Sequence, residues 1–222
     1  MSQIFAAADI GSNTVHLLVA EVELPAIRRL RNESEWLSLG EIVSREGHIP
    51  SRLADRLVAI LKTYRDLAAV HQAEAFYVFA TEAMRIATNH LEVIERLQRQ
   101  LGIRVDLVTP QREAELSLKG TSLDTAGPSP SVLVEVGGGS AQVALCRNGK
   151  VVEDRSLSVG TGKLIANSSL GYPCTSAQLE VLRQAAREAA SLCIGMEPTL
   201  RMVASGGVAR GLLRALHPDG DP

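Results

Sequence analysis

A short pattern occurs twice in the chain and limits its fold more than any other feature: Ala8-Asp9-Ile10-Gly11-Ser12-Asn13-Thr14-Val15, and later Val134-Glu135-Val136-Gly137-Gly138-Gly139-Ser140-Ala141. Aligned without gaps, Asp9 falls on Glu135 and Gly11 on Gly137. In each copy a β-rich apolar run ends in one carboxylate, turns on glycine and small polar residues, and resumes as an apolar run. The second runs are Val15 to Val22 and Val143 to Cys146. The pattern predicts strand, tight turn, strand. Successive amide N–H groups in such a turn form an anion-binding nest, and glycine lets the backbone approach a phosphate closely. A neighbouring carboxylate repels that phosphate unless a cation stands between them. Two such turns facing each other across a cleft are therefore expected to clamp a Mg²⁺–phosphate ligand.

The pattern is not a dinucleotide fingerprint or a P-loop. Both of those run from a strand through glycines into a helix that holds the phosphate at its N-terminus. Here the turn is followed by Val15-His16-Leu17-Leu18-Val19, which is too apolar for the first turns of a solvated helix.

Over 222 residues, 45% of them hydrophobic, the chain can form one large domain or two modest ones. A formal charge of −2 gives no general attraction to nucleic acid or to an anionic membrane. No apolar stretch is long enough to span a bilayer. The three cysteines, Cys146, Cys174 and Cys193, are too few and too scattered for a disulfide framework or a zinc site. A cytoplasmic protein binding neither nucleic acid nor membrane is expected, with a homodimer left open.

Along the chain, the first hairpin is followed by a third strand within Arg28 to Leu39. Leu53, Leu57, Ile60, Leu61, Tyr64, Leu67 and Ala68 then recur at helical spacing after Pro50 and Ser51. Ala75 to Ala80 reads as a strand, Leu91, Ile94, Leu97 and Leu101 as a helix, and Ile103 to Val108 as a strand. This order predicts an α/β layer fold with parallel strands after the antiparallel opening. The Thr, Gly, Pro and Ser stretch from Thr125 to Ser131 reads as a domain boundary, giving units 1–124 and 125–222. The second unit repeats the three-strand meander over Val132 to Val136, Gln142 to Cys146 and Lys150 to Val159. A helix through Leu179, Leu182, Ala186, Ala189, Ala190 and Cys193 follows, capped by Thr175 or Ser176. A strand from Leu200 to Ala204 then leads through Ser205-Gly206-Gly207 into a last helix from Val208 to Leu216. That third glycine turn does enter a helix, whose dipole favours an anion.

Taken in order, Asp9-Ile10-Gly11-Ser12-Asn13, Ala80-Thr81-Glu82-Ala83-Met84-Arg85 with Asn89, Glu113-Ala114, Gly137-Gly138-Gly139-Ser140 and Ser205-Gly206-Gly207 resemble the exopolyphosphatase / guanosine pentaphosphate phosphatase (Ppx/GppA) family. The resemblance implies a ribonuclease H-like, actin-like ATPase fold. Its two related lobes each have an antiparallel meander leading a mixed sheet flanked by helices. It also implies a phosphohydrolase that releases terminal phosphate from inorganic polyphosphate or guanosine pentaphosphate in an interlobe cleft, with Mg²⁺ as cofactor. Glu113 matches the glutamate taken to activate water, and Arg85 matches an arginine that contacts phosphate, a task suited to its planar fork of donors. Gly11, Ser12, Asn13, Gly137, Gly138, Gly139, Ser140, Ser205, Gly206 and Gly207 are the expected phosphate cradle. Asp9, Glu135 and Gln142 are the expected metal set.

The departures from the family pattern are specific. The second motif usually reads Asp-Ile-Gly-Gly-Gly-Ser-Thr-Glu, so Glu135 lengthens one acid by a methylene and Gln142 replaces the other by a neutral amide. Arg112 replaces an acid before Glu113, Ser38 stands where an arginine is common, and Val208 replaces a threonine. Family members continue past the last glycine turn, so an incomplete second lobe is expected. The alternatives to hydrolysis are a weak or inactive binding protein for such phosphate ligands and an actin-like scaffold. Arg28, Arg29 and Arg31 read as a solvated hairpin face, and His16 as a strand residue rather than a ligand.

Overall fold

The computed structural model describes residues 2–24, 26–124, 132–168, 170, 173–197 and 201–218. The chain divides into two compact units, Met1–Val108 and Thr109–Pro222.

The first unit runs β1 (Gln3–Ile10), β2 (Thr14–Glu23), β3 (Ala26–Trp36), α1 (Leu39–Glu46), α2 (Ser51–Val70), β4 (Ala75–Ala80), α3 (Glu82–Ile86), α4 (His90–Leu101) and β5 (Val105–Leu107). Its sheet has the order β3-β2-β1-β4-β5. The meander β1-β2-β3 is antiparallel, whereas β4 and β5 join parallel to β1 and to each other. Strand alternation puts Ala6, Ala8 and Ile10 on the buried face and leaves Asp9 exposed at the strand's end. In α2, Leu53, Leu57, Leu61, Tyr64 and Ala68 recur at three- and four-residue steps and are buried together with those strand residues. Each fully buried leucine in this core contributes about 1.5–3 kcal/mol relative to exposure.

The second unit runs α5 (Pro110–Asp124), β6 (Val132–Val136), β7 (Ala141–Arg147), β8 (Lys150–Leu157), α6 (Thr161–Asn167), α7 (Ser176–Ala190), a 3₁₀ turn (Ser191–Cys193), β9 (Met202–Ser205) and α8 (Gly206–Leu216). Its four-stranded sheet, β8-β7-β6-β9, repeats the β3-β2-β1-β4 part of the first, again with an antiparallel meander and a parallel fourth strand. The duplicated topology is the actin-like ATPase fold expected from the sequence. Thr175 caps α7 through a capping box with Gln178.

Two features differ from the sequence reading. The unit boundary falls before α5 rather than at 124/125, because Ala114 and Leu118 of α5 pack with Leu133, Ala144 and Cys146 of β6 and β7. The stretch 125–131, read as the boundary, lies outside the described residues. The third strand also stops at Trp36, and α1 begins at Leu39.

Candidate functional site

Both acid–glycine turns close in the same way. Gly11 N donates to Thr14 O at 3.0 Å, and the aligned Gly137 N donates to Ser140 O at 2.9 Å. The segment after each third strand then docks on the turn. Leu37 N and Ser38 N donate to Asn13 O at 2.8 and 2.9 Å, and Gly40 N donates to Ser12 O at 2.7 Å. In the second unit, Thr161 N donates to Gly137 O at 3.0 Å and Gly162 N to Gly138 O at 2.8 Å. These bonds occupy the carbonyls of Ser12, Asn13, Gly137 and Gly138. Among the described residues no hydrogen bond takes the amide N–H of Ser12, Gly138 or Gly139. Each turn therefore has donors to offer, as an anion requires.

The docking explains two glycines that the motif reading missed. A Cβ on Gly40 would lie 2.7 Å from Ser12 Cβ, and one on Gly160 would lie 2.5 Å from the carbonyl carbon of Gly138. In the second case the obstacle is backbone, which cannot swing aside. A glycine shortly after the third strand of each copy was the available signal.

In the first unit, the C-terminal ends of the parallel strands collect the matching motifs, the usual place for ligands in α/β sheets. Asp9 lies at the end of β1 and Gly11 just beyond it. Thr81, after β4, donates through its amide to Ile10 O at 3.2 Å, tying the Ala80–Arg85 motif to the first turn. Arg85 Nη1 donates to Val108 O, just beyond β5, at 2.5 Å, which turns the guanidinium toward these strand ends. Asn89 exchanges hydrogen bonds with Ile49 N and O, both at 2.9 Å, a structural role.

In the second unit, Glu113 lies half-buried in the first turn of α5 and is bonded through its amide to Thr109 O at 2.9 Å. One turn further on the same helix, Ser117 Oγ donates to Glu135 Oε2 at 2.5 Å, a contact the sequence reading did not anticipate. The i, i+4 spacing from Glu113 was the available clue. Register places Ser156, Gln142, Glu135 and Ser205 side by side across β8, β7, β6 and β9, so their side chains share one face. A Cβ added at Gly206 would meet Glu135 Cγ at 3.3 Å, so the third glycine turn also reaches this acid. Gly207 is exposed, and Ser140 is buried.

The residues expected to hold metal supply sparse ligation. Among the described residues, no group of three or more His, Cys, Asp or Glu gathers. Asp9 and Glu135 give one carboxylate to each unit, and Gln142 is neutral. One carboxylate in a unit is compatible with Mg²⁺, which keeps several waters and takes one or two carboxylates besides substrate phosphates. Arg112 does not oppose Glu113 but pairs with Glu115 at 3.0 Å. Of the basic hairpin residues, Arg28 pairs with Glu21 and Arg31 with Glu33. His16 lies 2.7 Å from Thr14 Oγ1. Among the described residues, no helix is long and apolar enough to cross a membrane.

A sequence model of the Ppx/GppA phosphatase family matches residues 18–213. Exopolyphosphatase 2 of Mycobacterium tuberculosis is 30% identical over 209 residues, which cover 89% of this chain and 63% of that protein. The chain thus spans less than two thirds of the length of this curated relative. The crystal structure of the Aquifex aeolicus Ppx/GppA family member superposes with a TM-score of 0.83 at 25% identity, covering 100% of this chain and 72% of that one. An exopolyphosphatase from Cytophaga hutchinsonii superposes with a TM-score of 0.86 at 21% identity, covering 99% and 73%, which bears on the fold alone.

Proposed function

The chain belongs to the Ppx/GppA phosphatase family, and on that premise we propose that it is a Mg²⁺-dependent phosphohydrolase releasing terminal phosphate from inorganic polyphosphate or guanosine pentaphosphate. The observation that carries the reading is the pair of acid–glycine turns closed by the same hydrogen bond, in which the amides of Ser12, Gly138 and Gly139 remain to meet an anion. Phosphoryl transfer asks mainly for positioning, charge neutralisation and an oriented nucleophile. In the two turns the amides of Ser12, Gly138 and Gly139 position phosphoryl oxygens, and Arg85 adds a cationic fork. Glu113 orients water and accepts its proton as the new P–O bond forms, while the remaining phosphate chain departs. Asp9 in the first unit and Glu135 in the second would each offer Mg²⁺ a carboxylate, and the cation would neutralise charge on the phosphates.

A second reading, a phosphate-binding protein of low turnover, is favoured by one observation: the acid normally paired with Glu135 is here a neutral glutamine buried to 5% exposure. Phosphate release from polyphosphate and from guanosine pentaphosphate, each with and without Mg²⁺, separates the two. Cation-dependent release from either substrate supports the hydrolase. Binding of both with no release supports the second reading.

A further inference from the structure

We infer that the Gln142 amide is a direct hydrogen-bond donor to the phosphate chain, so that the second turn binds phosphate without needing a divalent cation. This rests on the phosphate-binding reading above and assigns the donor within it.

Gln142 is 5% exposed, and among the described residues neither its Nε2 nor its Oε1 has a hydrogen-bond partner. A buried amide in that state is costly, so a partner from outside the chain is expected. Because both terminal atoms are orphaned, the assignment of nitrogen and oxygen does not change the conclusion. The side chain stands directly across from Glu135, on the strand pair that carries the turn, one step from the closing Val136–Ala141 pair. The unengaged Gly138 and Gly139 amides lie in the turn itself. Glu135, the one acid in its cross-strand row, already accepts from Ser117 Oγ.

A hard cation seeks anionic oxygens, and this row offers a single carboxylate that is partly occupied. A phosphate seeks donors, and an amide supplies two N–H groups without repelling the anion. A carboxylate at position 142 would do the reverse: it would add a cation ligand and, without the cation, a like charge against the phosphate. The change from the family's acid to glutamine therefore moves this turn from cation-bridged toward direct phosphate binding.

The test is calorimetric titration of the full chain with methylenediphosphonate, a phosphate-chain analogue that cannot be hydrolysed, in EDTA and in Mg²⁺. The wild type is expected to bind in EDTA within about threefold of its affinity in Mg²⁺. Gln142→Glu should lose about tenfold or more in EDTA and recover with Mg²⁺, and Gln142→Met, which keeps the volume but not the donors, should be weak in both. Thermal melting establishes that the variants fold, and the wild-type comparison alone remains decisive if they do not. A wild type that loses tenfold or more on removal of Mg²⁺ overturns the donor role, while phosphate release from polyphosphate in the same preparation leaves the proposed function standing. A folded wild type that neither binds nor releases phosphate overturns both.

Discussion

Tyr64 shows how a single side chain ties the core to the first acid–glycine turn. Its hydroxyl is buried at 2% residue exposure and donates to Val15 O at 2.8 Å, at the start of the strand that leaves that turn. Burial, and after it the Glu35 and Glu33 charges, push its pKa up to about 12 from an ordinary 10.0. A raised folded-state pKa means that stability is fully present below the unfolded value and is lost as pH climbs through the folded one. The denaturation midpoint should therefore decline between about pH 10 and pH 12 in the wild type. Tyr64→Phe should cost about 0.5–1.5 kcal/mol at pH 7 and lose its share of that alkaline decline; an identical alkaline slope in both proteins would contradict it. Burial also raises the Cys146 thiol, whereas Cys174 and Cys193 are only partly buried. At pH 8 a thiol reagent should label Cys174 and Cys193 in the native protein, and Cys146 only after unfolding. The two acid–glycine turns were legible at this scale because their spacing alone predicts strand, turn, strand. Ser117 was passed over, since its spacing from Glu113 becomes a clue only once its neighbour across the fold, Glu135, is known.

At the scale of elements, the repeated unit is larger than the turn. It includes the chain that returns from the third strand and closes on the turn's carbonyls, with a glycine at the point of closest approach. Gly160→Ala should displace the second turn and weaken phosphate binding by about tenfold or more with a lowered melting temperature, because the new methyl meets backbone. By contrast, Gly120 lies within α5, and its added Cβ meets nothing within 4 Å. Gly120→Ala should therefore stabilise by about 0.5–1 kcal/mol and leave phosphate binding intact. Equal behaviour of the two variants would remove the docking argument. The long periodic helices and the nine strands among the described residues had their sequence counterparts, although the ends of several strands shifted. The short helices α1 and α3 were not legible: eight and five residues give too little periodicity to stand out from the strand ends beside them. They form because the ends of β3 and β4 must turn away from the sheet where the turns are held.

At the scale of the whole molecule, the two units differ in how much apolar surface they bury. The first gathers a core running from Ala6 to Val105, while the second gathers Ala114, Leu118, Leu133, Ala144 and Cys146. Helices α7 and α8 have no buried residue, and Ile194 is 83% exposed. Hydrogen exchange should thus be slowest in β1, β2 and α2 and fastest in α7 and α8, by about two orders of magnitude or more. Uniform protection across both units would contradict this ordering. Sequence showed the duplication plainly but put the boundary in the wrong place. Composition marks a polar stretch, whereas the boundary is set by where α5 packs, and its contacts are with strands that follow it in the chain.

The central claim is that these turns and Glu113 serve phosphoryl transfer to water. Its most direct measurement is orthophosphate release from polyphosphate by the purified 222-residue chain in Mg²⁺, compared with Glu113→Gln of equal melting temperature. The account predicts that kcat falls by about 10²–10⁴ in the variant, with KM changed by less than about threefold. Equal rates in the two proteins, or no release from a folded wild type, would contradict it.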